Sequence, residues 1–110
     1  MENETLKYRF DKYLIERKAI HLNDSHATYK KWDELIQMLT ENEEKTLELL
    51  KNSTKEEIDW ISEVMEEVSA KLNSNEYIKS LRYVNAKYPE CKLDYIIEIS
   101  IKHMKNRNET

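Results

Sequence analysis

The sequence predicts an all-α protein, a compact bundle of about five to six short helices. The 110-residue chain has no glycine and one proline, so it lacks the residue that β-hairpin turns, bulges and phosphate-binding loops depend on. Large apolar residues recur at helical spacing along the chain, and short polar breaks separate the periodic segments. At this length we expect one helical domain, residues 1–110, with a single core.

The first helix is predicted over about residues 4–20 and is apolar on two sides. The stripe assigned to the core consists of Leu6, Phe10, Tyr13 and Ile20. The opposite side carries Tyr8, Ile15 and Leu22, which are seven residues apart. A helix that is apolar on two sides either lies between two layers or presents one side to a partner chain.

The second and third helices are predicted over about residues 27–39 and 41–51. A polar turn precedes the second helix, with Asp24 or Ser25 as its N-cap. The core stripe of the second helix consists of Tyr29, Trp32, Leu35, Ile36 and Leu39. Thr40 and Glu43 have the spacing of a capping box, which predicts that the third helix begins there.

The fourth helix is predicted over about residues 55–72 and has the cleanest pattern in the chain. Its narrow apolar stripe consists of Ile58, Ile61, Met65, Val68 and Leu72. Before it, Ser53 with Glu56 and Thr54 with Glu57 both have capping-box spacing. A fifth helix is predicted over about residues 76–87 and stops before Pro89. A sixth, about 92–105, is apolar over so wide an arc that we expect it to be the most buried.

Acidic residues are concentrated in the middle of the chain. Residues 41–76 contain eleven acidic and four basic residues, whereas residues 1–40 are balanced and residues 77–110 have a net charge of +3. An acidic pole favours basic partners and repels nucleic acid. The C-terminal lysines and arginines are spread over two helices and form no reading stripe, so we expect no nucleic-acid partner.

The sequence contains no pattern that indicates catalysis, a metal or a cofactor. His21, His26, His103 and Cys91 lack the spacing of a metal site. The carboxylates lie on the wet faces of helices rather than opposite one another across a cleft. We therefore expect no enzyme activity, no metal and no cofactor. One cysteine, the lack of a signal-like start and the lack of a long apolar run predict a cytoplasmic protein without a membrane span.

The outer side of the predicted fourth helix carries a row of carboxylates with a tryptophan among them. With Met65 directed at the core, three glutamates fall within about 20° of the far side, and Trp60 lies about 40° from its centre. Tryptophan is enriched at binding hot spots, and carboxylates accelerate association with a positive surface. Either this face binds a partner, or it is solvated and another helix covers Trp60. The predicted partner-binding residues are Glu56, Asp59, Trp60, Glu63, Glu66 and Glu67.

The stretch from Thr54-Lys-Glu-Glu-Ile-Asp-Trp-Ile-Ser-Glu-Val-Met-Glu-Glu-Val through Tyr88-Pro89-Glu90 resembles small acidic helical immunity proteins. These are encoded beside polymorphic or contact-dependent toxins, often in Gram-positive bacteria. The resemblance covers about the C-terminal half and lies in an acidic amphipathic helix, a polar break and a tyrosine-rich helix that stops at Tyr-Pro. It implies stoichiometric capture of a toxin domain, commonly a basic nuclease, by masking its active site.

Two functions follow as expectations. The first is an immunity or antitoxin-like protein that binds and neutralises a basic toxin domain, with glutamates of the fourth helix pairing with its lysines and arginines and Trp60 as the apolar anchor. The alternative is a helical regulatory or scaffold module that acts by self-association. A homodimer through Tyr8, Ile15 and Leu22 would be its active form.

Overall fold

A computed structural model describes residues 5–108 and the side chains of residues 5–104, and it confirms the all-α prediction. The described part of the chain contains seven α-helices. They are α1 (Leu6–Lys18), α2 (Ser25–Thr40), α3 (Glu43–Asn52), α4 (Lys55–Ile61), α5 (Met65–Leu72), α6 (Asn75–Lys87) and α7 (Asp94–Asn108). A single 3₁₀ turn, Pro89–Cys91, joins α6 to α7.

Five of these helices begin after an N-cap residue whose side-chain oxygen accepts a hydrogen bond from a backbone N–H of the first turn. The caps are Thr5, Asp24, Asn42, Thr54 and Ser74. The capping box of Thr54 and Glu57 is confirmed. The one predicted at Thr40 and Glu43 is wrong, because the Thr40 hydroxyl instead donates to the carbonyl of Ile36 and Asn42 caps α3.

One core draws apolar residues from all seven helices. α1 packs against α2 and α3, α3 packs against α6, and α5 lies between α2 and α7. The buried apolar residues are Phe10, Tyr13, Leu14, Leu35, Met38, Leu39, Leu49, Leu50, Ile58, Ile61, Val64, Met65, Val68, Tyr77, Ile78, Leu81, Val84, Leu93 and Ile97. This arrangement places the outer side of α1, opposite Phe10 and Tyr13, towards solvent.

The last helix, α7, is less buried than its wide apolar arc predicts. Of its described apolar residues only Ile97 is buried, and its other isoleucines and Met104 are partly exposed. α7 packs against α5 and α6 on one side. Within residues 5–108 no further helix follows to cover its other side, so the prediction that this helix is the most buried is wrong.

The hydroxyl groups of two buried core tyrosines differ in their hydrogen bonding, so removing each hydroxyl should affect stability differently. The Tyr77 hydroxyl donates to the carbonyl of Met65 at 3.2 Å. The Tyr13 hydroxyl has no hydrogen-bond partner among the described residues, and burial raises its pKa. We expect Tyr13→Phe to leave the free energy of unfolding unchanged or to raise it by up to about 1 kcal/mol, because it removes an unsatisfied polar group.

Urea denaturation followed by circular dichroism checks this expectation. Tyr77→Phe is the matched control and should lose about 1 kcal/mol with its hydrogen bond. A loss for Tyr13→Phe as large as that of Tyr77→Phe would show that the Tyr13 hydroxyl does have a partner.

Candidate functional site

The predicted fourth helix is interrupted in its middle. α4 ends at Ile61 and α5 begins at Met65, so a continuous helix over residues 55–72 is wrong. Between them the N–H of Glu63 bonds to the carbonyl of Trp60 and that of Val64 to the carbonyl of Ile61, which are i→i−3 bonds. Such turns advance by about 120° per residue instead of 100°. A wheel drawn through this segment therefore misplaces the polar side chains beyond the interruption.

Glu63, in the interrupting turn, is bound by two other helices. Arg17 of α1 donates to both of its carboxylate oxygens, from Nε at 3.1 Å and from an Nη at 2.8 Å. The indole N–H of Trp32 on α2 donates to the same carboxylate at 3.0 Å. The side chains of Arg17 and Glu63 are only 13% and 25% exposed. Glu63 thus joins α1 and α2 to the turn between α4 and α5.

Trp60 faces the protein rather than the solvent. Its indole is partly buried against the core, and the guanidinium carbon of Arg17 lies 5.0 Å from its ring centroid. That distance is within the range of a cation–π contact. The expectation of an outward-pointing tryptophan anchor is therefore wrong, because α1 supplies a cation on the side that was assigned to solvent.

The other four predicted site residues do not form one row. Glu56 pairs with Lys18 at 3.1 Å, and Asp59 pairs with Lys55 at 2.9 Å. The hydrogen bond from Lys55 lowers the pKa of Asp59. Glu66 is partly buried and Glu67 is exposed, and neither forms an ion pair with a described residue.

The acidic middle of the chain is matched by bases of the first helix. The pairs are Lys7–Glu57 at 2.7 Å, Arg9–Glu41 at 2.8 Å, Arg17–Glu63 at 2.8 Å and Lys18–Glu56 at 3.1 Å. Charges that are segregated along the sequence are therefore adjacent in the fold. The field of the predicted acidic pole is correspondingly weaker than the sequence count implies.

The second apolar side predicted for the first helix is exposed. Tyr8 is 55% exposed, Ile15 is 73% exposed and Leu22 is 98% exposed. Tyr8 and Ile15 lie on α1, and Leu22 lies in the turn after it, where the N–H of Asp24 bonds to the carbonyl of His21. We call Tyr8, Ile15 and Leu22 the apolar strip.

The free thiol of Cys91 is not poised for nucleophilic chemistry. Burial, together with the hydrogen bond to Asp59, raises its pKa to about 11. A thiol with so high a pKa is almost entirely protonated at neutral pH, whereas the nucleophile is the thiolate. The described residues also contain no group of three His, Cys, Asp or Glu side chains that could hold a metal ion.

A groove of about 470 Å³ runs between α1 and α2, and four of its five charged lining residues already have ion-pair partners. Arg9 binds Glu41, and Lys31 at the adjacent α2 surface binds both Glu16 and Glu34. A ligand bound here would compete with these internal pairs.

No protein-family model, no curated protein and no solved structure significantly matches this chain. Within the described residues, every helix is too short or too polar to cross a bilayer.

Proposed function

We propose that this protein acts as a helical module that self-associates through the apolar strip of Tyr8, Ile15 and Leu22. The observation that carries the proposal is the exposure of this strip on α1 and on the turn after it, while the other side of α1 packs in the core. The buried residues of α1 are Phe10, Tyr13 and Leu14, so the strip residues are not part of its contact with the core.

Burial of the strip supplies a driving force of the right size for reversible association. Each large aliphatic side chain that leaves water contributes roughly 1.5–3 kcal/mol. A dimer would bury two copies of Ile15 and of Leu22, which are mostly exposed and almost wholly exposed, respectively, in one chain. The strip is nevertheless small beside a standard protein interface. We therefore expect a dissociation constant in the micromolar to millimolar range, since association itself has a large entropic cost.

Sedimentation over protein concentrations from about 10 μM to 1 mM tests this function, because that range brackets the affinity expected of a small interface. The wild type should shift from monomer to dimer, and Ile15→Glu should weaken dimerisation at least tenfold, because it would place a charge in an apolar contact. Tyr8→Glu and Tyr95→Glu form a matched pair, since Tyr95 is equally large, is 68% exposed and lies on α7. Only the change at Tyr8 should affect the dimer. A wild type that stays monomeric throughout overturns the proposal.

The second candidate is an immunity or antitoxin-like protein, which the charge of the α4–α5 region favours. Glu66 and Glu67 have no cationic partner among the described residues. The side chain of Glu56 is 67% exposed and is held by one lysine. These carboxylates, rather than Trp60, would contact the lysines and arginines of a basic toxin domain. We place the protein in the cytoplasm in either role, where its one thiol would stay reduced.

Binding to the protein encoded by the neighbouring gene tests the second candidate. Electrostatic capture requires an association rate constant that falls steeply between low and high salt. Charge reversal of Glu66 and Glu67 to lysine should slow association, whereas reversal of Glu44 and Glu48 on α3 is the matched control. A rate constant that is independent of salt, or equal effects of both double variants, would contradict capture through this face.

A further inference from the structure

We propose that the partner of the apolar strip is a second copy of the same chain, packed antiparallel, with a two-fold axis beside Ile15. This inference rests on the self-association proposed above and specifies its geometry. Three properties support it: the spacing of the strip along the sequence, the charges on the two flanks of α1 and the direction of that helix.

The spacing of the strip is symmetric about its middle residue. Tyr8 precedes Ile15 by seven residues and Leu22 follows it by seven. A two-fold axis beside Ile15 that reverses the helix direction brings Ile15 against Ile15. It places Tyr8 of each copy at the end of the other copy where α1 stops at Lys18 and the turn that contains Leu22 follows. The same surface then serves both copies, as a closed two-fold dimer requires.

The first flank of the strip is self-complementary in this arrangement. On a wheel centred on Ile15, Asp11 and Lys18 lie within about 60° on the same side. In an antiparallel pair the same flanks of the two helices meet. Asp11 then lies about 1.5 Å along the axis from Lys18 of the second copy, because the two positions differ by one residue. The symmetry produces this opposite-charge pair twice.

The second flank is complementary in the same way. Lys12 and Glu16 lie on the other side of the strip, and Lys12 comes within about 3 Å along the axis of Glu16 of the second copy. Glu16 already binds Lys31, Asp11 binds Lys7 and Lys18 binds Glu56. Asp11, Glu16 and Lys18 are roughly half exposed, so each can accept a second partner at its open side.

The helix direction also favours the antiparallel pair. Two α1 helices side by side in the same direction would place like ends of their macrodipoles together, whereas the antiparallel pair places unlike ends together. A parallel pair would instead set Tyr8 against Tyr8 and Leu22 against Leu22. The two arrangements therefore differ in which residues of the strip come together.

Cysteine cross-linking of the full chain distinguishes them. In a Cys91→Ser background, a short bis-maleimide should link Ile15→Cys to itself and should link Tyr8→Cys to Leu22→Cys when the two variants are mixed. Tyr8→Cys alone should stay monomeric on a denaturing gel. Efficient self-linking of Tyr8→Cys and of Leu22→Cys would show a parallel pair and overturn this geometry while leaving self-association intact.

A charge swap followed by sedimentation gives a second, independent measurement. Asp11→Lys should raise the dissociation constant of the dimer by roughly three- to tenfold, and the double variant with Lys18→Asp should restore it, since surface pairs have effects of this size. A dimer that forms in sedimentation but shows neither cross-links at the strip nor rescue by the swap would overturn both the geometry and the strip as the interface. A wild type without any dimer would overturn the proposed function itself.

Discussion

Replacing Glu63 by alanine is expected to lower the free energy of unfolding by about 2–3 kcal/mol. The change removes the acceptor of three hydrogen bonds, two from Arg17 and one from the indole of Trp32. It leaves a guanidinium whose side chain is only 13% exposed without its carboxylate. The figure is below that of a fully buried pair because water reaches one edge of Glu63, which screens the interaction. Urea denaturation of the purified variant measures the loss.

Two further variants separate the carboxylate of Glu63 from the rest of its side chain. Glu63→Gln keeps an acceptor for Trp32 and loses the charge, so its loss of stability should lie between those of the wild type and the alanine variant. Glu67→Ala is the matched control in the same region, and for an exposed residue without a cationic partner among those described we expect a change within about 0.5 kcal/mol. Equal effects of the changes at Glu63 and Glu67 would show that the contacts to Arg17 and Trp32 contribute nothing.

Ile61→Ala is expected to have the largest effect, a loss of about 3–4 kcal/mol, because Ile61 is fully buried at the end of α4 and the change leaves a cavity. The same substitution at Ile15 should change the stability of the monomer by less than about 0.5 kcal/mol, since that residue is mostly exposed. The two variants remove the same atoms, so the difference between them isolates burial. Thermal or urea unfolding at low protein concentration measures it without a contribution from association.

The comparison of Ile15→Ala with Ile61→Ala also tests whether the apolar strip is a free surface. A residue that is neutral for folding but strongly affects dimerisation must be retained for contact with another molecule. If Ile15→Ala destabilised the monomer as much as Ile61→Ala, Ile15 would belong to the core of a single chain. The strip would then not be a free surface.

Most of the fold could be predicted from local sequence, because helix starts and core stripes are local signals. The capping box of Thr54 with Glu57 is confirmed, and Asp24, one of the two predicted caps, begins α2. Of the core stripe predicted for α2, Leu35 and Leu39 are buried and Trp32 and Ile36 partly buried, but Tyr29 is 57% exposed, so its assignment to the core is wrong. The exposure of Tyr8, Ile15 and Leu22 agrees with a helix that is apolar on two sides and packs with one of them. The capping box predicted at Thr40 is wrong because Asn42, two residues later, caps α3 instead.

A helical wheel could not predict where the acidic residues of α4, α5 and the turn between them lie in the fold, for two physical reasons. Glu63 lies in a turn whose backbone hydrogen bonds run from residue i to i−3 instead of i−4. The apolar stripe does not reveal this turn, because the stripe residues on both sides of it are buried, namely Ile58, Ile61, Met65 and Val68. Its partner Arg17 lies 46 residues earlier in the chain, and no local pattern reports such a contact. The excess of lysine and arginine in the first predicted helix was the available signal, because an acidic segment needs counter-charges.

The pairing of α1 with the acidic middle has a consequence for folding during synthesis. The chain emerges from the ribosome N-terminus first, so the cationic first helix is made well before the carboxylates it will meet. Arg9 pairs with Glu41, 32 residues downstream, and Lys7 pairs both with Asp11 on the same helix and with Glu57, 50 residues downstream. We expect the ion pairs of α1 with Glu56, Glu57 and Glu63 to form only after α4 and the turn behind it have left the exit tunnel, whereas its packing against α2 can form earlier.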